Sequence, residues 1–229
     1  MKLVINSHVN YKYPLKIFLN SLLDSGFTNL KDIILVISGA PTQIAPRIIN
    51  AKQLCDSFPD IELCIIEMQI NNFDYTGYHA LHLYKDDPMI LDTSYLYVLD
   101  TCTFDLDFGE KYKTFKIKHR GVATCAAPHS NICMFDRQVI FNYGDNFFTP
   151  ITKQEAIDLE FGRSLTKNGR EIKSITSFGK FINIGNRVHF GEKDIYNTLH
   201  PRQGFNYPYF GINKWIFWGR NGDIYGKIN

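Results

Sequence analysis

Four short apolar runs organise the first hundred residues, and each ends in polar or small residues. Residues 2–7 rise through Leu3, Val4 and Ile5 into Asn6 and Ser7. Residues 33–37 are Ile-Ile-Leu-Val-Ile and run into Ser38-Gly39. Residues 61–67 form a third run, and 95–99, Tyr-Leu-Tyr-Val-Leu, stop at Asp100. Runs of this length and texture predict strands buried on both faces. Between them the period changes. Pro14, Leu15, Phe18, Leu19, Leu22 and Leu23 recur at helical spacing, with proline in the first turn and Gly26 as the stop. A weaker helical pattern runs from Pro46 through Ile48, Ala51, Cys55 and Phe58, and residues 76–84 also read as helix.

This alternation of strand and helix predicts an α/β fold, a mostly parallel twisted sheet with helices on both faces. Beyond about residue 105 the alternation fades. Residues 131–140 suit a strand and 152–161 a helix with Ala156, Ile157 and Leu159 on its apolar side. The Gly-, Asn- and aromatic-rich segment 169–229 reads as strands and loops. No linker, repeat or low-complexity tract divides the chain. It is read as one domain, 1–229, with halves at 1–107 and 108–229.

In open α/β sheets, ligands collect outside the carboxyl ends of the strands. Asn6, Ser7, Ser38, Gly39, Asn71, Asn72 and Asp100 all fall at such ends, so they are expected to share one rim. The other features narrow the class of ligand. The net charge of +2 has no strongly basic block behind it, which argues against nucleic acid. The five cysteines are odd in number and lack a Cys-x-x-Cys pair, which suits reduced thiols in the cytoplasm. No apolar stretch is long enough to span a bilayer, so no membrane anchor is expected. The loop after the first strand, Asn6-Ser7-His8-Val9-Asn10, has no glycine. That argues against a dinucleotide-binding oxidoreductase and against a sugar-phosphate nucleotidyltransferase.

The strongest chemical feature is Tyr95-Leu96-Tyr97-Val98-Leu99-Asp100-Thr101-Cys102, a buried strand that delivers a carboxylate to its end. Literal Asp-x-Asp spacing follows at Asp105-Leu106-Asp107. Carboxylates held at a strand end suit a hard divalent cation bridging two phosphates. Upstream lies Asn71-Asn72-Phe73-Asp74-Tyr75-Thr76-Gly77-Tyr78-His79-Ala80, a loop entering a helix. Gly77 there permits close backbone approach, and Asp74 either accepts hydrogen bonds from a ligand or caps the helix. Downstream lie Asn131 to Ile140, then Gly144-Asp145-Asn146-Phe147-Phe148, then Gln154-Glu155-Ala156-Ile157-Asp158-Leu159-Glu160-Phe161-Gly162-Arg163. Glu155 and Asp158, three apart, share a face of the helix expected there.

In order and context, these segments resemble the GT-A glycosyltransferases over roughly residues 1–165, the small soluble virus-encoded members above all. The resemblance implies transfer of a sugar from a nucleotide-sugar donor (UDP- or GDP-linked) to a hydroxyl of a glycan or other acceptor, with Mn²⁺ or Mg²⁺ as cofactor. It implies donor contacts from Asn6, Ser7, Ser38, Asn71, Asp74, Gly77 and Asp100. Asp100-Thr101-Cys102 is similar to the family's metal motif with its last Asp replaced by Cys. Either Asp100 holds the metal alone through water, or Asp105 and Asp107 supply the missing oxygens. The family's C-terminal metal-site histidine maps onto His189, with His200 as the fallback. Its catalytic base falls on Ala156, leaving Glu155 as the nearest candidate with Asp158 behind it. An inverting displacement is expected, with a retaining outcome left open. The rival reading is a degenerate domain that binds a sugar nucleotide or glycan without turnover. The aromatic tail, Phe205, Tyr207, Tyr209, Phe210, Trp215, Phe217 and Trp218, serves either core packing or acceptor binding.

Overall fold

The computed structural model describes residues 1–54, 56, 58–72, 75–117, 120–127, 132–143, 155, 165–167, 169–172, 179–184, 186–189 and 203–215. Its first half follows the apolar pattern closely. Strand β1 (Lys2–His8) leads into helix α1 (Lys12–Asp24), then β2 (Ile33–Ser38), β3 (Ile44–Asn50) and β4 (Glu62–Met68). Helix α2 (Thr76–Leu83) returns the chain to β5 (Ser94–Leu99). Next come β6 (Cys102–Phe104), α3 (Phe108–Thr114), β7 (Ala123–Ala127), β8 (Ile132–Asp136) and α4 (Arg137–Tyr143). The remaining described strands are β9 (Leu165–Lys167), β10 (Arg170–Ile172), β11 (Gly179–Ile184), β12 (Asn186–His189), β13 (Gln203–Tyr207) and β14 (Ile212–Trp215).

The main sheet has eight strands in the order β11-β7-β8-β5-β1-β2-β4-β3. Its middle is parallel: β5, β1, β2 and β4 all run the same way. Three pairings are antiparallel, β3 with β4, β5 with β8 and β7 with β8. The sheet is therefore mixed, where the sequence pattern predicts a mostly parallel one. The difference arises at the two flanks. The expected helix at 46–58 is instead the edge strand β3 followed by a single 3₁₀ turn, Ala51–Gln53. Pro46 sits where the β3 register slips, a position that needs no ladder N–H. Ala51 and Phe58 of the predicted pattern reach the core, with Ile49 and Leu54, whereas Ile48 is exposed, so the apolar spacing does not carry the period of a helix. On the other flank, the predicted strand 131–140 stops at Asp136 and turns directly into α4.

Helices cover both faces of the main sheet. One core joins Leu3, Ile5, Leu35 and Val98 to Leu15, Phe18, Leu19 and Leu22 of α1. The opposite core joins Val4, Val36, Ile66 and Tyr97 to Tyr78, Ala80 and Leu81 of α2 and to Val139 and Ile140 of α4. A second sheet, β12-β13-β14-β6, is antiparallel and lies on the α1 side, where Phe104, Tyr207, Phe210 and Ile212 join the first core. The two sheets are continuous in sequence through Asp100 and Thr101, which separate β5 from β6. β9 and β10 form a separate two-stranded ribbon. No helix among the described residues is long and apolar enough to cross a membrane.

Candidate functional site

The four parallel strands, taken in chain order, stand fourth, first, second, third across the sheet. The connections therefore reverse direction between β1 and β5, and the crevice outside their carboxyl ends is a topological switch point. Ser7, at the end of β1, and Asp100, just past the end of β5, meet there. Ser7 Oγ donates to Asp100 Oδ2 at 2.6 Å. The Asp100 amide donates to the Asn6 carbonyl at 3.1 Å, and Ser38 Oγ, from the end of β2, donates to the Ser7 carbonyl at 2.9 Å. Three strand ends are thus tied through polar groups that are almost completely buried: Asn6, Ser7, Ser38 and Asp100 are each at most 6 % exposed. Burying a carboxylate and two hydroxyls is costly unless each is hydrogen-bonded. The packed strands beneath leave these side chains in one geometry.

The strand ends of β2 and β4 continue the rim. Gly39 N–H donates to the Ile70 carbonyl at 3.2 Å, which places the half-buried Asn71 next to it. Asn72 N–H donates to Thr76 Oγ1 at 2.8 Å, fixing the entry to α2. Gly77 is needed for a reason other than ligand approach. A Cβ there would lie 2.5 Å from the Tyr97 ring, so the missing side chain makes room for the Tyr78–Tyr97 stack, with centroids 4.0 Å apart. Asp74 lies outside the described residues.

Of the three expected metal-binding acids, only Asp100 is at the rim. β6 carries the chain away along α1, with Phe104 N–H donating to Ser21 Oγ at 2.8 Å. Asp105 and Asp107 therefore stand at the opposite edge of the sheet, near the end of α1. Lys111 Nζ is 2.9 Å from Asp107 and 3.6 Å from Asp105, and Asn213 Nδ2 donates to Asp105 at 3.0 Å. The hydrogen bond that Lys111 donates to Asp107 holds its ammonium above its ordinary pKa against the opposing effect of burial, and the charges of Asp107 and Asp105 add to it. Cys102 is fully buried in the α1-side core, which takes its thiol away from the rim. The four described cysteines, Cys64, Cys102, Cys125 and Cys133, are buried and in no disulfide, and burial pushes the Cys64 thiol up to about 11. They are apolar filler, as a buried Cys usually is.

His189 ends β12 opposite Gln203, one step beyond the row Val188–Gly204–Trp215. The Trp215 amide donates to the Thr101 carbonyl at 2.9 Å. His189 is therefore at the Asp100 end of the second sheet, but three strands over from β6, roughly 14 Å at ordinary strand spacing. Glu155 is helical and half-buried. Asp158, Ala156 and His200 lie outside the described residues, as do Phe217 and Trp218. The rest of the aromatic tail is largely core. Tyr207 and Phe210 are buried, and Trp215 Nε1 donates to Thr103 Oγ1 at 2.9 Å. Phe205 packs half-buried against the same core, and Tyr209 is exposed and stacks on Phe115.

Three rim groups carry no sequence signal. Thr101 is an ordinary turn residue until the fold places it beside Asp100. Lys214 Nζ donates to Thr101 Oγ1 from 113 positions further along the chain. His8 Nδ1 accepts from the Asn10 amide at 3.1 Å, so the neutral ring carries its proton on Nε2. Burial holds this imidazole below its ordinary pKa. Its Nε2 lies over Gly39, where a Cβ would come within 2.7 Å of it.

A divalent cation at this rim would have Asp100 as its described carboxylate. Mg²⁺ is commonly held by one or two carboxylates together with substrate phosphates. Asp100 supplies one carboxylate, which suits a cation arriving with a diphosphate. No group of three or more His, Cys, Asp or Glu side chains forms a ready cage among the described residues. The sequence matches no family model and no curated protein.

Proposed function

We propose that the crevice between β1 and β5 is the donor site of a GT-A-type glycosyltransferase that uses a nucleoside-diphosphate sugar. The observation that carries this reading is the buried Ser7–Asp100 hydrogen bond at the switch point. It holds a carboxylate in fixed orientation where an α/β sheet opens to ligand. Hydroxyls of a ribose or sugar would donate to Asp100, and Ser7 and the Asn6 carbonyl keep that carboxylate from turning away. A divalent cation bound through Asp100 and the diphosphate would neutralise charge on the leaving group.

Transfer then requires a base. The acceptor hydroxyl gives its proton to a carboxylate, for which Glu155 is the candidate, as its oxygen forms a bond to the anomeric carbon. The bond from that carbon to the diphosphate oxygen breaks, and the nucleoside diphosphate leaves with the electron pair. One displacement of this kind inverts the anomeric centre.

The test is a panel of nucleotide sugars with Mn²⁺, scored for release of nucleoside diphosphate by wild type and by Asp100→Ala. Metal-dependent release from one donor, lost in the variant, supports the transferase and names the donor. A second reading has its own observation. The acids that would complete a metal motif, Asp105 and Asp107, are bound to Lys111. That favours a domain that holds a sugar nucleotide without turnover. Tight donor binding with no release from any donor would select it.

A further inference from the structure

Five described side-chain cations stand against carboxylates, whereas Lys2 donates to the Met89 carbonyl and Lys85 lies over the Phe141 ring. Arg47 pairs with Glu67, Lys52 with Asp60, Lys113 with Glu110, Arg137 with Asp86, and Lys111 with Asp105 and Asp107. Lys214 also has a neutral partner, and it stands beside the rim. Lys214 is half-buried as a residue, and its ammonium donates to a neutral hydroxyl, Thr101 Oγ1. Among the described residues no carboxylate accompanies it. An ammonium has three donors and a full charge, and partial burial removes part of its water. Such a group is a ready partner for an anion.

Its position is set by the second sheet. Lys214 stands opposite Cys102 in the β14–β6 ladder, and the next residue, Trp215, is bonded through its amide to Thr101. Opposed residues of an antiparallel pair project to the same face, and Cys102 faces the α1-side core. Ser7 and Asp100 also project to the α1 side, by alternation with Ile5 and Val98. The second sheet therefore delivers a cation to the same side of the switch-point crevice as the carboxylate, bonded to Thr101, the residue that follows Asp100.

We propose that Lys214 is the phosphate-binding cation of this crevice, with the diphosphate of a nucleotide as its ligand. The proposal rests on reading the crevice as a nucleotide site. Asp100 then meets hydroxyl groups, or a cation arriving with the diphosphate, while Lys214 meets the phosphate charge directly. The arrangement links two sheets through one ligand, so that binding draws on β14 as well as on β1 and β5.

The test is calorimetric titration of UDP, GDP and inorganic pyrophosphate in the presence of a chelator, which removes any bridging cation. Wild type, Lys214→Met and Lys214→Arg are compared, and uridine and guanosine serve as phosphate-free controls. A charge-assisted contact of this kind implies about a tenfold or greater loss of diphosphate affinity in Lys214→Met. Lys214→Arg should retain most of it, and the affinity for the nucleoside should not move. Unchanged diphosphate affinity in a folded Lys214→Met would overturn the proposal, as would an equal loss for nucleoside and diphosphate. Should Lys214→Met fail to fold, the Arg variant and the salt dependence of wild-type binding decide. Affinity indifferent to salt overturns the proposal. Lys214-dependent binding of pyrophosphate with no binding of either nucleotide would keep the phosphate assignment and sink the nucleotide reading. Binding of none of the three by wild type would sink both.

Discussion

Two ends of the same sheet each hold acids, and they treat them in opposite ways. At the edge near the start of β1, acids meet cations in pairs. Lys111 lies between Asp105 and Asp107, and the Met1 amino group lies 3.5 Å from Asp92. The packing there is also close. Tyr112 Oη donates to the Met1 carbonyl at 2.6 Å, and Gly109 N–H donates to the Ser25 carbonyl at 3.0 Å. At the carboxyl rim, Asp100 is buried against a serine hydroxyl, and the ammonium of Lys214 is held by a threonine. Opposite charges that pair with each other are satisfied by folding. At the rim the Asp100 carboxylate accepts from the Ser7 hydroxyl, and the Lys214 ammonium donates to the Thr101 hydroxyl. The same residue type is thus structural at one edge and a site candidate at the other, according to its partner and not its spacing.

The comparison can be broken first at the packed edge. A Cβ at Gly109 would lie 2.2 Å from the Gly26 carbonyl oxygen, a backbone atom with little room to move. Gly109→Ala is expected to cost at least about 3 kcal/mol, read by urea denaturation. A variant as stable as wild type would mean that α3 is not docked on the end of α1.

The rim is next. Asp100→Asn keeps the shape and removes the charge. Donor turnover is expected to fall about 100-fold or more, as when a charged group that acts in the transition state is removed. A folded Asn variant with full turnover would strip Asp100 of its role. Ser7→Ala leaves the buried carboxylate oxygen without its donor and should cost about 1–3 kcal/mol of stability. If its melting midpoint stays at the wild-type value, the hydrogen bond does not hold the carboxylate.

Asp105→Ala and Asp107→Ala sharpen the contrast from the other side. Lys111 is 32 % exposed, Asp105 31 % and Asp107 62 %, so solvent screens both pairs and each loss should be about 1 kcal/mol or less, with donor release unchanged. Loss of metal-dependent release in either folded variant would return these acids to the site.

The smallest effect concerns pH. His8 has a folded pKa below its unfolded value because burial disfavours the charged ring. The unfolded chain therefore binds the proton more readily. The stability contributed by neutral His8 is fully present above the unfolded value, near 6.5, and is lost as pH falls through that value toward the folded one. Thermal melts of wild type and His8→Gln across this window should differ in slope, with the wild type losing more on acidification. Parallel curves would place the imidazole in open solvent.

Much of the first half of the fold was legible because its signals are local. The four strands of residues 2–7, 33–37, 61–67 and 95–99 appear within about a residue of their predicted ends. Helix α1 follows its apolar spacing, and α2 lies within the predicted 76–84. What failed was decided by neighbours. Ile48, Ala51, Cys55 and Phe58 suggest a helix by spacing, yet an open edge beside β4 offered a ladder, and β-branched residues such as Ile48 and Ile49 suit a pleated surface. The mixed character of the sheet depends on β8 turning back beside β5, which no local pattern records.

The candidate site divides in the same way. Sequence alone determined that Asp100 ends a buried strand and that Asn6, Ser7 and Ser38 end others, because an apolar run stopping at a polar residue is visible in a few consecutive positions. Only the tertiary structure decided that Ser7 meets Asp100 across 93 positions and that Lys214 meets Thr101 across 113. It also decided that Cys102 turns into the core and that Asp105 and Asp107 go to Lys111 at the far edge. The physical reason is that strand order, and the face a side chain takes at a sheet's end, are set by burial summed over the whole chain. A motif fixes only which groups are available to meet.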